Sequence, residues 1–198
     1  MSLGFIVAVV FAIVLLSLAL IWLRSYFEQL LGLTDDLTQQ AQITLRETFR
    51  ETTASFSIWP SQYKLAAGKG LVMAAGIENE APDGKDHRFV INIIPTAADN
   101  TILSGYNCQQ FVTCTDLKTK MERWLTYNRQ PFPIQIGAVD TPPIKIVPDG
   151  DSIKGTYIFD IFACYDKTLG TTLLSSQCNE NSQNLWGGSA EQLLITVV

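Results

Sequence analysis

The stretch GTYIFDIFAC, residues 155–164, carries the clearest strand pattern in this chain. Tyr157, Phe159 and Ile161 recur with a period of two, which places alternate side chains of a strand on one face. The sequence PDGD at 148–151 precedes it and is a turn signal, because Pro, Asp and Gly favour the backbone angles of tight turns. Residues 155–164 are therefore predicted to form a long strand in a β domain.

Short segments of the same kind fill the chain from residue 60 onward. The other predicted strands are residues 71–77, 88–94, 133–137, 144–147 and 193–198. Pro95 is expected to end the second of these. Roughly seven strands with frequent turns predict an antiparallel β-sandwich. VPDGDSIKGTY at 147–157 also resembles the turn-then-GTY strand of immunoglobulin-like domains on prokaryotic cell surfaces, which implies an immunoglobulin-like sandwich.

One helix is predicted inside the β domain, at residues 115–127. Leu117, Met121, Trp124 and Leu125 recur there at helical spacing and share one face.

The four cysteines, Cys108, Cys114, Cys164 and Cys178, all lie in the second half of the chain. An even number suits two disulfides in an extracytoplasmic protein, and the local pairs Cys108–Cys114 and Cys164–Cys178 are favoured. The alternative is a four-cysteine zinc site. The spacings C-x5-C and C-x13-C lack the C-x2-C pairs typical of zinc ribbons.

Charge and hydropathy are distributed unevenly. The net charge is −5 and no basic cluster occurs, which excludes nucleic acid as an expected partner. The apolar excess lies in the first 23 residues.

Residues 4–23 are twenty consecutive positions without a charge, and a bilayer core needs about 20 apolar residues in a helix. A cleaved secretory signal is disfavoured, because Met1 to Leu3 contain no basic residue and RSYF at 24–27 is a poor cleavage context. A membrane anchor and the core of a larger assembly are the two remaining interpretations.

Beyond Arg24 an apolar stripe continues at spacings of three, four and seven. Its members are Leu30, Leu33, Leu37, Ala41, Leu45, Phe49 and Phe56. The stripe predicts one helix over residues 3–57, with a joint or break at Gly32 and an end at Trp59-Pro60.

An apolar helix at the very start, an amphipathic helix and then a β domain resemble type IV pilins and archaeal filament subunits. Phe5 stands where bacterial type IV pilins usually carry a glutamate, so the resemblance is to the archaeal branch. It implies an α+β fold. A long N-terminal helix, hydrophobic and then amphipathic, occupies residues 1–58, and an antiparallel immunoglobulin-like β-sandwich occupies residues 59–198.

The resemblance also implies the partners and the location. A prepilin peptidase trims the precursor in the cytoplasmic membrane, and pilus assembly machinery packs the copies into an extracellular helical homopolymer. The residues expected to pack against other copies are Phe5, Ile6, Val9, Phe11, Ala12, Ile13, Leu16, Leu20, Leu23, Phe27 and Leu30.

Little in the sequence indicates catalysis. No phosphate-binding loop, nucleophile elbow or HExxH motif is present, so no catalytic residue, cofactor or metal ligand is predicted. His87, the only histidine, is expected to be an exposed loop residue. Asp149 and Asp151 are expected to be turn residues, with calcium left open.

Trp59, Trp124 and Trp186 are expected in packing, with a sugar- or partner-binding face as the alternative. The predicted function is a structural filament subunit, whose role in adhesion, motility or conduction stays open. The alternative is a single-pass membrane-anchored surface protein with an immunoglobulin-like binding domain.

Overall fold

The computed structural model describes residues 43–45, 47, 49, 54–168 and 172–198. Of these residues, 44% are in strands and 18% in helices. The ten described strands are β1 Phe56–Trp59, β2 Gln62–Leu65, β3 Leu71–Glu78, β4 His87–Ala98, β5 Leu125–Tyr127, β6 Phe132–Ile134, β7 Val139–Asp140, β8 Pro143–Ile146, β9 Gly155–Tyr165 and β10 Leu185–Val197.

The strands form two five-stranded sheets. In sheet I the order is β1-β3-β8-β5, and β7 also pairs with β3. In sheet II the order is β2-β10-β9-β4-β6. The pairing is antiparallel except between β2 and β10, which run parallel, so the prediction of a purely antiparallel sandwich is wrong for that edge.

Two short α-helices, α1 Asn100–Gly105 and α2 Thr115–Arg123, lie with a 3-10 turn at Phe111–Thr113 in the connection from β4 of sheet II to β5 of sheet I. A second 3-10 turn, Ser175–Gln177, lies between β9 and β10. Helix α2 is the predicted helical insertion, but it ends at Arg123 and the chain continues as β5. Leu117, Met121 and Trp124 are buried, as their shared face predicts.

The predicted α+β fold class is wrong. Within the described residues the protein is mostly β, and α2 is the single helix of seven or more residues. The predicted helical stripe includes Phe56, yet this residue lies in β1 and is buried in the core at 3% exposure. A single apolar residue such as Phe56 fits the period of a helix and the period of a strand equally well, so the predicted helix continues into residues that form a strand.

Most of the predicted 1–58 segment lies outside the described residues, as do all eleven predicted polymerisation positions from Phe5 to Leu30. In the part that is described, residues 43–45, 47 and 49 are helical, and no helix is long and apolar enough to cross a membrane. The predicted domain boundary between residues 58 and 59 stays a prediction. It falls inside strand β1, Phe56–Trp59.

The main core lies between the two sheets. Tyr157, Phe159 and Ile161 of β9 are fully buried there, as the period of two predicts. Strand β4 does not end at Pro95 but continues to Ala98, with a register shift between Pro95 and Ala97. A bulge tolerates proline because the ladder is already interrupted at that point.

The four cysteines form Cys108–Cys114 and Cys164–Cys178, which confirms the predicted pairs. The second bond belongs to a separate cluster with Val90, Phe162 and Leu173. Two disulfides indicate an oxidising, extracytoplasmic environment.

The two disulfides are expected to contribute unequally to stability. Replacing Cys164 and Cys178 together by Ser should lower the free energy of unfolding by about 3 kcal/mol, because that bond joins residues 14 apart. The same replacement at Cys108 and Cys114, which are six apart, should cost about 2 kcal/mol. Urea unfolding of the full chain measures both losses. A larger loss for the shorter loop would contradict this ranking.

Candidate functional site

The helical residues 43–45, 47 and 49 dock on the outer face of sheet I. Leu45 is 1% exposed and Phe49 is 8% exposed, and both pack against Ala74 of β3. Trp59 at the end of β1 and Val139 of β7 border this contact. We call this group of five side chains the docking cluster.

Small residues on β3 make the docking possible. Core-facing residues of β3 alternate with Ala74 and Gly76, which lie on the outer face. A Cβ atom added to Gly76 would lie 3.0 Å from Leu45 Cδ1 and 3.0 Å from Phe49 Cζ. The absent side chain is therefore what lets the two large residues approach the sheet. The segment that precedes β1 is therefore packed against the outer face of sheet I through Leu45 and Phe49.

A second arrangement surrounds His87 at the start of β4. The ring is buried, with a residue exposure of 2%, so the prediction of an exposed loop histidine is wrong. Nε2 lies 2.9 Å from Asp83 Oδ1, and Nδ1 lies 3.0 Å from Asp166 Oδ1. The imidazole also packs nearly perpendicular to the Tyr165 ring, with ring centroids 5.3 Å apart.

These contacts favour the imidazolium form. Burial lowers the pKa of His87, but hydrogen bonds to Asp83 and Asp166 outweigh it, so the pKa is raised above its ordinary value of 6.5. The same bond lowers the pKa of Asp83. Asp166 Oδ1 also accepts the backbone N–H of Arg88 at 2.9 Å. Through the contact with Asp166, the His87 ring joins β4 to the residues that follow β9. Because both ring nitrogens contact carboxylates, neither nitrogen is free to act as a base.

The other singled-out residues have structural roles. Trp124 and Trp186 lie in the core, at 2% and 7% exposure, which leaves neither as an exposed sugar-binding face. Asp149 and Asp151 face the Lys120 amine at 3.8 Å and 2.9 Å, so they anchor a turn to α2.

No family model matches this chain, and no curated protein matches it. Solved structures that resemble it include the PapD-like domain 7 of human CEP192, at 10% identity over 73% of this chain and 86% of that one, with a TM-score of 0.38. The E. coli chaperone DraB is 8% identical over 73% of this chain and 55% of that one, with a TM-score of 0.36.

A family 123 glycoside hydrolase from Clostridium perfringens is 7% identical over 70% of this chain and 23% of that one, with a TM-score of 0.42. This chain spans less than two thirds of the hydrolase and of DraB. These likenesses concern the fold alone and carry nothing about function.

Gly76→Val is expected to release the docked residues without unfolding the sandwich. The branched side chain needs the space that Leu45 and Phe49 occupy, so backbone amides at 43–49 should exchange with solvent faster. Hydrogen exchange read by mass spectrometry measures this. Gly150→Ala is the control, because a Cβ at Gly150 meets nothing within 4 Å. Unchanged exchange in Gly76→Val would contradict the docking.

His87 is expected to make stability fall as pH rises. The folded state holds the imidazole proton more tightly than the unfolded chain does, so the contribution is complete below the unfolded pKa of about 6.5 and is lost as pH rises through the raised folded pKa. Urea midpoints between about pH 6 and pH 9 should therefore decline, and His87→Gln should flatten the decline. The single histidine also allows direct NMR titration of its ring. A ring pKa at or below 6.5 would contradict the assignment.

Proposed function

We propose that the chain is a structural subunit of an extracellular filament of the type IV pilus kind, resembling the archaeal branch. The observation that carries the proposal is the uncharged run at residues 4–23 in a chain whose C-terminal part is a disulfide-bonded β-sandwich. The partner is a further copy of the same chain. A prepilin peptidase, the assembly machinery and the cytoplasmic membrane act on the precursor.

Apolar burial supplies the driving force. A run of twenty uncharged residues cannot remain in water, and each large aliphatic side chain that is fully buried contributes about 1.5–3 kcal/mol. Copies that pack these runs together bury them without lipid. Small residues within the run, such as Ala8 and Ala12, favour close approach.

The docking cluster supports the same proposal. A subunit of a filament has to transmit load from its packed N-terminal run to its outer domain. Leu45 and Phe49 give the entering chain a packed contact with sheet I, which fixes its position at the sandwich as a flexible linker would not. The two disulfides suit a protein that works outside the cell.

The second candidate is a single-pass membrane-anchored surface protein with a binding domain. A groove at the edge of sheet II, lined by Glu122, Arg129 and residues 174–176, favours it. The two candidates differ in the final environment of residues 4–23, which is other copies of the chain in a filament and phospholipid in an anchor.

Ala12→Lys is expected to abolish fibre formation, because it introduces a charge into the apolar run where the packed copies leave no partner for it. Negative-stain electron microscopy of the culture medium counts the fibres, and the melting transition of the β-sandwich should stay unchanged.

Ser25→Lys is the matched control, because it adds the same charge just outside the run, next to Arg24. Fibres in both variants would contradict assembly through residues 4–23. A wild-type chain found as a detergent-extracted membrane monomer, with no fibres, would support the anchored alternative.

A further inference from the structure

A groove of about 490 Å³ lies at the edge of sheet II. It is lined by residues 92–94 of β4, by Tyr127 and Arg129, and by the loop at 174–176. Strand β6 pairs only with residues 87–89 of β4. The rest of this edge of β4 therefore has no paired strand among the described residues.

Side chains close the exposed strand edge. The backbone N–H of Ile93 donates to the Tyr127 hydroxyl at 3.3 Å. The Ser175 hydroxyl donates to the Ile91 carbonyl at 2.6 Å. Backbone groups satisfied in this way are not available to an added strand, so the groove is not suited to a peptide that pairs with the sheet. Its capacity to bind resides in side chains.

Two unpaired charges of opposite sign line the groove. Arg129 places its guanidinium 5.1 Å from the centroid of the Tyr127 ring, which holds the charged group in place. Glu122 of α2 contributes a carboxylate to the same lining. Neither side chain forms an ion pair with another residue in the described part of the chain. Neither side chain forms a hydrogen bond to another residue within the described ranges.

The lining also contains an exposed apolar side chain. Leu174 is 48% exposed, although its loop is tied to β9 by Cys164–Cys178. Ser176 and Asn92 belong to the same lining, but the Asn92 amide already donates to the Cys178 carbonyl at 2.8 Å. The groove thus offers a guanidinium, a carboxylate and a hydroxyl together with one aliphatic contact.

We propose that this groove is a binding site for a neutral saccharide of one to three rings. Vicinal hydroxyls match the lining, because they accept from the Arg129 fork and donate to the Glu122 carboxylate. The C–H face of a pyranose fits against Leu174. An anionic ligand would be repelled by the Glu122 carboxylate, and a cationic ligand would be repelled by the Arg129 guanidinium. A purely apolar ligand would cover these polar groups without offering them hydrogen bonds. The volume lies within the range of about 300–1,000 Å³ found for small-ligand sites.

The test uses the full chain in a detergent without a sugar headgroup, so that the detergent does not compete. The probes are maltotriose, cellotriose and mannotriose as neutral saccharides and trigalacturonate as the anionic comparison. Saturation-transfer NMR at about 10 mM ligand detects binding with a Kd in the millimolar range. At least one neutral trisaccharide is expected to bind, and more tightly than trigalacturonate.

Variants separate a specific contact from a general charge effect. Arg129→Ala should weaken binding about tenfold or more, because a charge-assisted hydrogen bond is lost. Arg129→Lys, which keeps the charge but not the fork, should also weaken it. Arg123→Ala is the matched control, because it removes the same charge from an exposed arginine outside the groove; it should change Kd by less than about twofold.

Three results would overturn the proposal. One is the absence of transfer from all three neutral trisaccharides, and another is tighter binding of trigalacturonate. The third is an equal loss in Arg129→Ala and Arg123→Ala. The measurement does not depend on fibre formation, so it is distinct from the test of the filament proposal.

Discussion

Strand β9 pairs along nearly its whole length with β4 on one side and β10 on the other, and the rest of the domain depends on this arrangement. Its inward residues are fully buried. Strand β4 comes earlier in the sequence, so it is available for pairing when β9 forms. Sheet I is built from shorter strands that cover the other side of the same core. Hydrophobic burial on one face and long hydrogen-bonded ladders on both edges, each with a single irregularity, make β9 the least dispensable element.

The C-terminal end of β9 also brings together several aromatic, ionic and disulfide contacts. Tyr165 contacts the rings of His87 and Trp186, Asp166 holds the imidazole, and Cys164 ties down the following loop. The loop in turn supplies Leu174 to the saccharide groove. A change at this end of the strand therefore reaches the core, the protonation of His87 and the groove together.

Alternation along the sequence was sufficient to predict the long strands, because Tyr157, Phe159 and Ile161 repeat the period on which burial depends. It was insufficient for β1, β2, β5 and β7, which have four, four, three and two residues. Strand β8 is as short as β1, but it was predicted because Ile144 and Ile146 alternate around Lys145. The start of β10 was missed because its pairing with β9 is interrupted between Trp186 and Glu191, where Gly187 and Gly188 adopt positive φ. Two adjacent glycines within a strand have the same sequence signature as a turn.

The sites were harder to predict than the strands. The disulfides followed from local spacing, since the paired cysteines are only six and 14 residues apart. His87 instead meets Asp166 across 79 residues, and no local pattern indicates such a partner. The groove draws on β4, α2, the segment after β5 and the loop after β9, so it becomes visible only after the strands are paired. Gly76 likewise looked like an ordinary strand glycine until Leu45 and Phe49 were placed above it.

The two proposals use different parts of the sandwich and are compatible for that reason. The docking cluster occupies the outer face of sheet I, whereas the groove opens at the edge of sheet II. A subunit that uses its N-terminal run for the proposed assembly, and the outer face of sheet I for the docking cluster of the same chain, still has β4 and its neighbouring loop available for a ligand. In a polymer, weak sites of this kind repeat along the fibre, and multivalent attachment multiplies a millimolar affinity without any new contact. Low affinity at a single groove is therefore compatible with tight attachment of the proposed filament to a surface that carries many copies of the ligand.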